Sequence, residues 1–411
     1  MHNYFTEAPE NLIHRNAWFI LAGGSSMFLW GIILFMSVTV YDFEKIPKNI
    51  DYIYPVSAAT GLLSGNLVFG HISDRIGRRR PFLFSIFLTA AGIMGAVLSS
   101  NFVQLTVSIF MANFSLGGDE TVLLSYIFEE YTRTKRSRYI IGITNMANAG
   151  VFFTAFFLYA IPLSLGSTRI FLLLSSFSII AIAIVSRLKI AESPGWEASH
   201  SLTPSRDMMK RKVREVWGYS GKHFSLVSDF EQITTGTAIV TGFFLINIYL
   251  GELYTDQPYL VTLLTTGAGV LSGIILTLLV TRIPHKTIPV ISFPAMAALV
   301  IIAVVLSFYS MLPFSILLWI LVFRSFLSEI GWGSRDLLQS ELTLTTERAR
   351  HISRIRAFSY SVLILLYFII YQLEPPLLFY LIIISIVEIM GAAGALVWYF
   401  RGVESGRKDI I

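Results

Sequence analysis

Long apolar stretches alternate with short polar, often basic segments along the whole chain. A membrane-spanning helix needs about 20 mostly apolar residues, and twelve stretches approach or exceed that length. The pattern therefore predicts an all-α membrane protein with twelve transmembrane helices, which we call spans one to twelve. Their approximate limits are 17–41, 53–72, 82–100, 103–128, 139–163, 169–187, 228–250, 258–281, 288–308, 313–340, 355–373 and 376–400.

A repeated pattern relates the first six spans to the last six. One glutamate, one threonine and two arginines recur with the same spacing after span four and after span ten. They are Glu129, Thr134, Arg136 and Arg138 in the first half and Glu341, Thr346, Arg348 and Arg350 in the second. Parallel six-helix repeats predict two pseudo-symmetric halves. We expect an N-terminal half over 1–187, a cytoplasmic linker over 188–227 and a C-terminal half over 228–411.

The linker contains a candidate surface helix. Met208, Val213 and Trp217 lie at helical spacing among basic neighbours. This pattern predicts an amphipathic helix on the cytoplasmic membrane surface, and a solvated basic linker is the alternative.

Basic residues identify one side of the predicted bundle. About 26 of the 31 lysines and arginines lie in the termini and in the loops on that side, and an excess of such residues is typical of cytoplasmic loops. We therefore expect a protein of the cell membrane with both termini in the cytoplasm. Arg15 precedes the first apolar run and no small-residue cleavage site follows it, so this run is expected to be a retained span.

The composition narrows the class of protein further. Hydrophobic residues make up 54% of the chain and charged residues 14%, whereas soluble domains carry about 25% charged residues. The net charge of +5 is spread over many loops, so no nucleic-acid partner is expected. Cysteine is absent, which excludes disulfides, zinc–thiolate sites and thiol catalysis. With no nucleophile motif in a span and no phosphate-binding Gly-Lys loop, we expect no enzyme activity, cofactor or metal.

A basic turn separates spans two and three. It contains Gly70, Asp74, Arg75, Gly77 and Arg78 in the pattern Gly-x-x-x-Asp-Arg-x-Gly-Arg-Arg. An arginine costs about 3 kcal/mol at the centre of a membrane helix, so the turn must lie outside the lipid. The pattern resembles the loop of major facilitator superfamily transporters. The resemblance implies alternating access between two halves, hydrogen bonds from Asp74 to the start of span eleven, and a tight turn at Gly77.

Two further elements resemble particular branches of that superfamily. The segment 191–196, Ala-Glu-Ser-Pro-Gly-Trp, resembles the Pro-Glu-Ser-Pro-Arg-Trp element of sugar porters and organic-ion transporters. Gly117-Gly118-Asp119 in span four resembles an element of proton-coupled phosphate and organic-acid symporters, whose proton-pathway aspartate Asp119 matches. The span-four arginine is absent, and the Gln-Gln pair of span seven is reduced to Glu231-Gln232. The resemblance therefore favours symport and names no substrate.

The loops on the basic side supply a candidate cytoplasmic gate. Its predicted members are Gly70, Asp74, Arg75, Gly77, Arg78, Glu129, Arg136, Arg138, Glu341, Arg348 and Arg350. We expect Arg78 and Arg138 to pair with Glu129 or Glu130 when this side is closed. Exposed pairs contribute at most about 1 kcal/mol each. The second-half loop 282–286 keeps its basic charge and lacks the Asp and Gly, so we expect a weaker gate there.

Ionisable residues inside the spans are candidate proton-coupling groups, because a charge in a membrane bundle must face partners or water. They are Asp119, Glu120, Glu329, Asp229 and Glu231. Asp119 and Glu120 point about 100° apart on a helix, so we do not expect one cavity to receive both. Asp119 is the first candidate for the proton, and a structural tie from Asp119 or Glu120 to an arginine of the gate is the alternative. Asp229 and Glu231 have the alternative role of helix-start acids.

Polar residues of the spans are candidate substrate ligands. Arg324 would bind an anionic group or compete with the proton for a carboxylate, and a structural ion pair with Glu329 or a neighbouring span is the alternative. The other candidates are Gln232, Asn113, Asn145, Asn148 and Tyr367. Polar side chains also hold membrane helices together at about 0.6 kcal/mol each, and for the asparagines this alternative has equal weight.

These observations predict a secondary active transporter that moves a small organic solute, such as a sugar or a carboxylate, with proton symport as the favoured coupling. One alternative is an exporter of organic cations or drugs by proton antiport. A second is a membrane sensor that binds a solute without moving it. The expected partners are the solute, protons and the lipid bilayer, and the protein is expected to act as a monomer.

Overall fold

The computed structural model describes residues 9–39, 50, 52–131, 133–161, 163–201, 221–343 and 347–405. Within this part of the chain every regular element is a helix. Ten of the described helices are long and apolar enough to cross a membrane by length and composition. Spans two and four, which are less apolar than these ten, complete the predicted twelve, and a short helix, Pro194–Ser201, follows span six.

The limits of the spans agree closely with the apolar pattern. In the first half they are Pro9–Thr39, Ile53–Ile76, Arg79–Val97, Phe102–Glu130, the pair Arg133–Thr144 and Met146–Ala160, and Leu165–Lys189. In the second half they are the continuous run Gly221–Gly242, Phe243–Leu250 and Gly251–Tyr254, then Pro258–Leu279, Ile288–Phe308, Phe314–Glu341, Arg348–Leu373 and Leu377–Arg401. The prediction of a twelve-helix membrane fold is confirmed.

Four spans begin well before their predicted starts at the end of the bundle that carries Gly77. We call this the inner end, because the sequence predicts that it faces the cytoplasm, and the opposite end the outer end. Span one begins at Pro9, span five at Arg133, span seven at Gly221 and span eleven at Arg348. An apolar run marks the lipid boundary, whereas helical hydrogen bonding propagates past it. Arg356, predicted to lie at the start of span eleven, therefore lies about two turns inside it.

The inter-half linker is described only in part. The helix Pro194–Ser201 follows span six, and the next described helix begins at Gly221. The predicted amphipathic helix around Met208, Val213 and Trp217 lies outside the described residues, as does Thr346 of the repeated pattern.

Close packing inside each half depends on small residues. A Cβ at Gly65 of span two or at Gly117 of span four would collide with the backbone of the other helix, at Phe114 and Leu62 respectively. Small residues at such positions let two membrane helices approach closely. Spans two and four consequently form one of the tightest helix pairs of the first half.

Two spans depart from a regular α-helix near the middle of the bundle. Span five is interrupted by a turn at Asn145, and span seven contains a π-helical stretch over Phe243–Leu250. π-Helical segments are rare in proteins overall, and those that occur often lie at functional sites. The two halves meet along span two against span eleven and span five against span eight. Both irregular segments thus lie beside the space between the halves.

Candidate functional site

A small cavity lies between the two halves at the level of these irregular segments. Its lining residues are Met27, Trp30, Glu120, Thr144, Ala147 and Asn148 from the first half and Phe243, Glu329, Trp332 and Asp336 from the second. The cavity has a volume of about 30 Å³, which leaves room for one or two water molecules and is too small for an organic solute. The structure therefore holds this space in a contracted state.

Three aromatic rings form the apolar wall of the cavity. Trp30 lies 6.4 Å from both Phe243 and Trp332, measured between ring centroids, and Phe243 lies 5.9 Å from Trp332. The guanidinium of Arg335 lies 3.9 Å from the centre of the Trp332 ring, where a cation–π attraction holds it. Because Trp30 belongs to the first half and the other rings to the second, this wall closes across the boundary between the halves.

A buried network of charges also crosses that boundary. Glu120 of span four accepts a hydrogen bond from Arg335 of span ten at 3.0 Å and forms an ion pair with Arg356 of span eleven. Asp336 lies 2.9 Å from each of the same two arginines. All four side chains are buried. Two carboxylates thus balance two guanidinium groups, a combination that offsets the cost of burying each charge.

Glu329 adds a third carboxylate to the cavity. Its Oε2 accepts a hydrogen bond of 2.6 Å from the Nδ2 of Asn148, across the boundary between the halves. Asn148 also lies 3.3 Å from Asn145, which donates to the carbonyl of Val270 in span eight. Within the described residues Glu329 has no cation within 4.0 Å. The cavity therefore holds one more carboxylate than it has guanidinium partners.

Asp119 lies outside the cavity, on the other side of span four from Glu120. Its Oδ2 is 2.6 Å from Arg187 of span six, and Ser85 donates to its Oδ1. Arg187 in turn donates to Ser26 and lies 3.8 Å over the ring of Phe82. The predicted divergence of Asp119 and Glu120 is confirmed. Asp119 ties span four to span six inside the first half, and its role in proton coupling stays a prediction.

Arg324 also lies inside one half. Its Nε donates to Glu388 of span twelve at 3.0 Å, and both side chains are fully buried. Spans ten and twelve correspond to spans four and six, so each half holds one buried ion pair between equivalent helices. Arg324 does not line the cavity, and the alternative of a structural pair with a neighbouring span describes its position.

Five other predicted site residues lie away from the cavity. Gln232 donates to Ser228 at 2.7 Å, Asn113 donates to Ser37 at 3.3 Å, and Tyr367 packs on Tyr249. Glu231 is buried and accepts a hydrogen bond from Thr235 of its own span. Asp229 lies at the inner end, 3.8 Å from His351. These contacts join helices or helix turns, which is the alternative role of polar groups in membranes.

The inner end carries the predicted gate, centred on Arg78. Its guanidinium lies 2.6 Å from Asp74 and 2.9 Å from Glu129. Burial alone would lower the pKa of Arg78, but Glu129 and Asp74 outweigh this effect and raise the pKa above its usual value, so the guanidinium stays charged. The predicted pair of Arg78 with Glu129 is present, and it is buried instead of exposed.

The turn before Arg78 depends on the backbone conformation of Gly77 and on hydrogen bonds to Glu192. Gly77 has a φ of 99°, which residues with a Cβ rarely adopt, and a Cβ there would collide with the carboxylate of Glu192. That carboxylate accepts hydrogen bonds from the backbone N–H groups of Arg78 at 2.7 Å and Arg79 at 3.2 Å. Glu192 thereby satisfies free donors at the start of span three. The predicted tight turn at Gly77 is confirmed.

Two contacts of this gate cross to the second half. Glu129 lies 3.0 Å from Arg348, and Asp74 accepts a hydrogen bond of 2.9 Å from the backbone N–H of Arg350. The latter is the contact with span eleven that the resemblance implied. A Cβ at Gly70 would meet Ser353 at 2.8 Å, so spans two and eleven are in close contact here. The inner end is closed.

The second half repeats this arrangement with a different cation. His285 lies 3.0 Å from Glu341, and Glu404 accepts hydrogen bonds of 3.0 Å from the backbone N–H groups of His285 and Lys286. Ser405 donates to Glu341 just as Ser193 donates to Glu129. The sequence predicted a weaker gate in this loop. In the structure His285 lies opposite Glu341 where Arg78 lies opposite Glu129.

The remaining predicted gate residues divide between the interior and the surface. Arg136 is buried with its guanidinium 4.2 Å from the centre of the Phe128 ring, and Arg348 lies 4.0 Å from the same ring. Arg75 is exposed. Arg138 is exposed and donates to Thr281 of the second half at 3.3 Å. The expected pairing of Arg138 with Glu129 is therefore corrected.

Five residues of the buried ion pairs inside the spans were not predicted as site residues: Arg187, Arg335, Asp336, Arg356 and Glu388. Arg335 and Asp336 carried a usable signal, since they are charged residues within a predicted span. Arg356 and Arg187 stood at the predicted ends of spans, where a basic residue is typical of the lipid boundary. Both arginines are nevertheless buried, because neighbouring helices of the bundle enclose these helix ends.

Comparison with known proteins agrees with this fold. A sequence profile of the Major Facilitator Superfamily matches residues 18–350. The putative niacin/nicotinamide transporter NiaP of Bacillus subtilis (strain 168) is 27% identical over 191 residues, which are 46% of this chain and 46% of NiaP. The putative metabolite transport protein YaaU of Escherichia coli (strain K12) is 28% identical over 199 residues, 47% of this chain and 44% of YaaU. The chain thus spans about half the length of the relatives it matches.

Solved structures match over almost the whole chain. The proton:xylose symporter XylE bound to 6-bromo-6-deoxy-D-glucose has a TM-score of 0.77 at 12% identity, over 96% of this chain and 98% of XylE. The inward-open conformation of XylE from E. coli has a TM-score of 0.69 at 15% identity, over 96% of both chains. These likenesses show the fold. The superfamily groups transporters and not enzymes. Because the sequence profile covers most of the residues, the chain belongs to the Major Facilitator Superfamily.

Proposed function

We propose that the protein is a secondary transporter that moves a small organic solute by alternating access, in symport with protons, and that Glu329 carries the proton. The observation that carries this proposal is the cavity between the halves, where Glu329 bonds to Asn148 and has no cation within 4.0 Å among the described residues. We further propose that it acts as a monomer in the cell membrane with both termini in the cytoplasm.

Alternating access requires contacts that break at one end while the other end closes. At the inner end, the contacts of Glu129 with Arg348 and of Asp74 with Arg350 join the two halves. At the outer end, aromatic pairs join them, with ring centroids 5.9 Å apart for Phe35 and Tyr259 and 5.8 Å for Tyr52 and Phe368. Contacts at both ends and a contracted cavity support an occluded intermediate, from which either end can open.

The proton step follows from the position of Glu329. An ionised carboxylate without a cation is costly to remove from water, so closing the cavity favours the form of Glu329 that carries a proton. When the inner end opens, water stabilises the ionised form and the proton leaves to the cytoplasm. Glu120 and Asp336 are less suited to this step, because both are held by Arg335 and Arg356.

The cavity wall supports a small polar metabolite as the solute. Trp30, Phe243 and Trp332 offer ring faces, while Asn148 and Thr144 offer hydrogen bonds, which is the usual combination in small-molecule sites. The relatives include a putative niacin/nicotinamide transporter. We therefore propose a sugar, a carboxylate or a similar metabolite, which enters when the cavity expands.

The excess of one carboxylate in the cavity also favours a second candidate. Three carboxylates face two guanidinium groups, so an organic cation could replace the proton at Glu329. Export of such a cation by proton antiport is the alternative function. A membrane sensor would bind a solute in the same cavity without releasing it on the other side.

Reconstitution in liposomes tests these functions. Purified protein is given an imposed pH gradient and radiolabelled glucose, xylose, nicotinate, inorganic phosphate or tetraethylammonium. We expect one of the metabolites to accumulate when protons flow inward. Cation movement against the proton flow would favour the antiporter. Saturable binding without uptake would favour the sensor. Uptake that is the same with and without the pH gradient would contradict proton coupling.

A further inference from the structure

A second cavity lies on the lipid-facing side of the bundle, away from the central site. It is a groove of about 750 Å³ between spans one, five and six, bordered by Thr277 of span eight. Its walls are mostly apolar, and several of them, including Leu21 and Ile182, are exposed. Lys135 and Arg138 stand at its inner end. No carboxylate lies among the described residues that line it.

The groove has the length of one lipid leaflet. From Lys135 to Met146, span five rises about 16 Å, and half of a 30 Å hydrocarbon core is about 15 Å. The basic residues are therefore at the level of lipid headgroups when the apolar part lies among acyl chains. Lys135 and Arg138 are three positions apart, which places them on one face of the helix with Cβ atoms about 5–6 Å apart.

Two glycines form the hollow. A Cβ at Gly24 of span one would come no closer than 3.9 Å to its neighbours, and one at Gly142 of span five no closer than 3.5 Å. Both positions could hold a Cβ without a collision, yet their glycines leave the groove open. The groove is thus a pre-formed channel for a narrow apolar chain, with two cations at one end.

We propose that this groove binds one anionic phospholipid of the leaflet at the inner end, with the phosphate between Lys135 and Arg138 and an acyl chain along Gly24 and Gly142. Basic pockets between membrane helices on the cytoplasmic side suit anionic headgroups. Arg138 already donates to Thr281 at 3.3 Å, which holds its guanidinium at the mouth of the groove. A zwitterionic lipid would fill the same apolar space and gain less from the two cations.

Native mass spectrometry of the intact protein in detergent tests this site. Phosphatidylglycerol or phosphatidylcholine with the same acyl chains is titrated, and the occupancy of the first bound lipid is measured. We expect preference for phosphatidylglycerol, and about 30-fold weaker binding of it to the double variant Lys135→Gln/Arg138→Gln. The control Arg354→Gln/Arg401→Gln removes two exposed charges at the inner end of the second half and is expected to bind as the wild type does.

A second variant tests the apolar part of the groove. Gly142→Leu keeps both cations and fills the hollow, so it should lose the first phosphatidylglycerol and retain its thermal stability. Equal binding of the two lipids, equal loss in the control, or unchanged binding in Gly142→Leu would each overturn the proposal. Lipid binding is measured without transport, so its failure is distinct from failure of the proposed function.

Discussion

Glu329 of span ten accepts a hydrogen bond of 2.6 Å from Asn148 of span five, so this buried carboxylate connects the two halves of the bundle. The nearby pairs of Glu120 and Asp336 with Arg335 and Arg356 are balanced in charge, whereas Glu329 lacks such a partner among the described residues. In the proposed function this contact links the proton-carrying group with the movement of the halves.

Glu329→Gln is expected to separate transport from the proton gradient. Glutamine keeps the hydrogen bond to Asn148 and cannot exchange a proton. Uphill accumulation in liposomes should fall to the background level, while exchange of labelled for unlabelled solute should continue. Both are measured at several pH values on the same preparation.

The matched control is Glu231→Gln. Glu231 is also a buried carboxylate without an ion pair among the described residues, but it lies outside the cavity and contacts Thr235 of its own helix. Its variant should keep gradient-driven uptake. If Glu231→Gln loses coupling and Glu329→Gln keeps it, the assignment of the proton to Glu329 is wrong.

Asp119→Asn is expected mainly to reduce the stability of the folded protein. The substitution leaves Arg187 buried beside a neutral side chain, and breaking a buried ion pair in this way costs about 3–5 kcal/mol. Thermal unfolding in detergent should show a marked fall for Asp119→Asn and substantial recovery for Asp119→Leu/Arg187→Met. If Asp119→Asn keeps wild-type stability and loses pH-dependent uptake, the result would support a role of Asp119 in proton coupling.

Arg348→Gln is expected to open the inner end. It removes the contact with Glu129 that joins the halves and leaves a buried carboxylate with fewer cations. The chain has no cysteine, so a single Thr144→Cys at the cavity reports access. Labelling by a membrane-impermeant maleimide from the inner side should become several-fold faster in Arg348→Gln.

The control for that measurement is Arg350→Gln. Arg350 contacts Asp74 mainly through its backbone N–H, and its side chain is 33% exposed. Substitution keeps the backbone donor, so labelling should stay close to the wild-type rate. Equal acceleration in both variants would indicate a general effect of charge at the inner surface.

Gly77→Ala is expected to destabilise the closed inner end by about 1–3 kcal/mol, the usual cost of such a backbone conformation in other residues. The added Cβ would also displace the Glu192 carboxylate from the start of span three. A lower unfolding temperature measures the effect. Gly166→Ala is the neutral reference, because nothing lies within 4 Å of its Cβ position.

The pattern of residues along the chain was enough to predict the spans, the basic inner side and the turn at Gly77. These features depend on local properties: the length of an apolar run, the cost of an arginine in lipid, and the conformation that a glycine allows. The pair of Arg78 with Glu129 and the bond of Asp74 with the start of span eleven were also predictable, because a known loop pattern carried them.

The partner of each buried charge could not be predicted from the sequence, because it depends on how the helices pack against one another. Asp119 and Glu120 are neighbours in sequence, yet one meets Arg187, 68 positions away, and the other meets Arg335, 215 positions away. Helix periodicity separates their directions by about 100°, but the rotation of span four against its neighbours selects the face that meets the second half. Packing of helices distant in sequence therefore placed Glu120 and Glu329 at the cavity and enclosed Asp119 and Arg324 within their own halves.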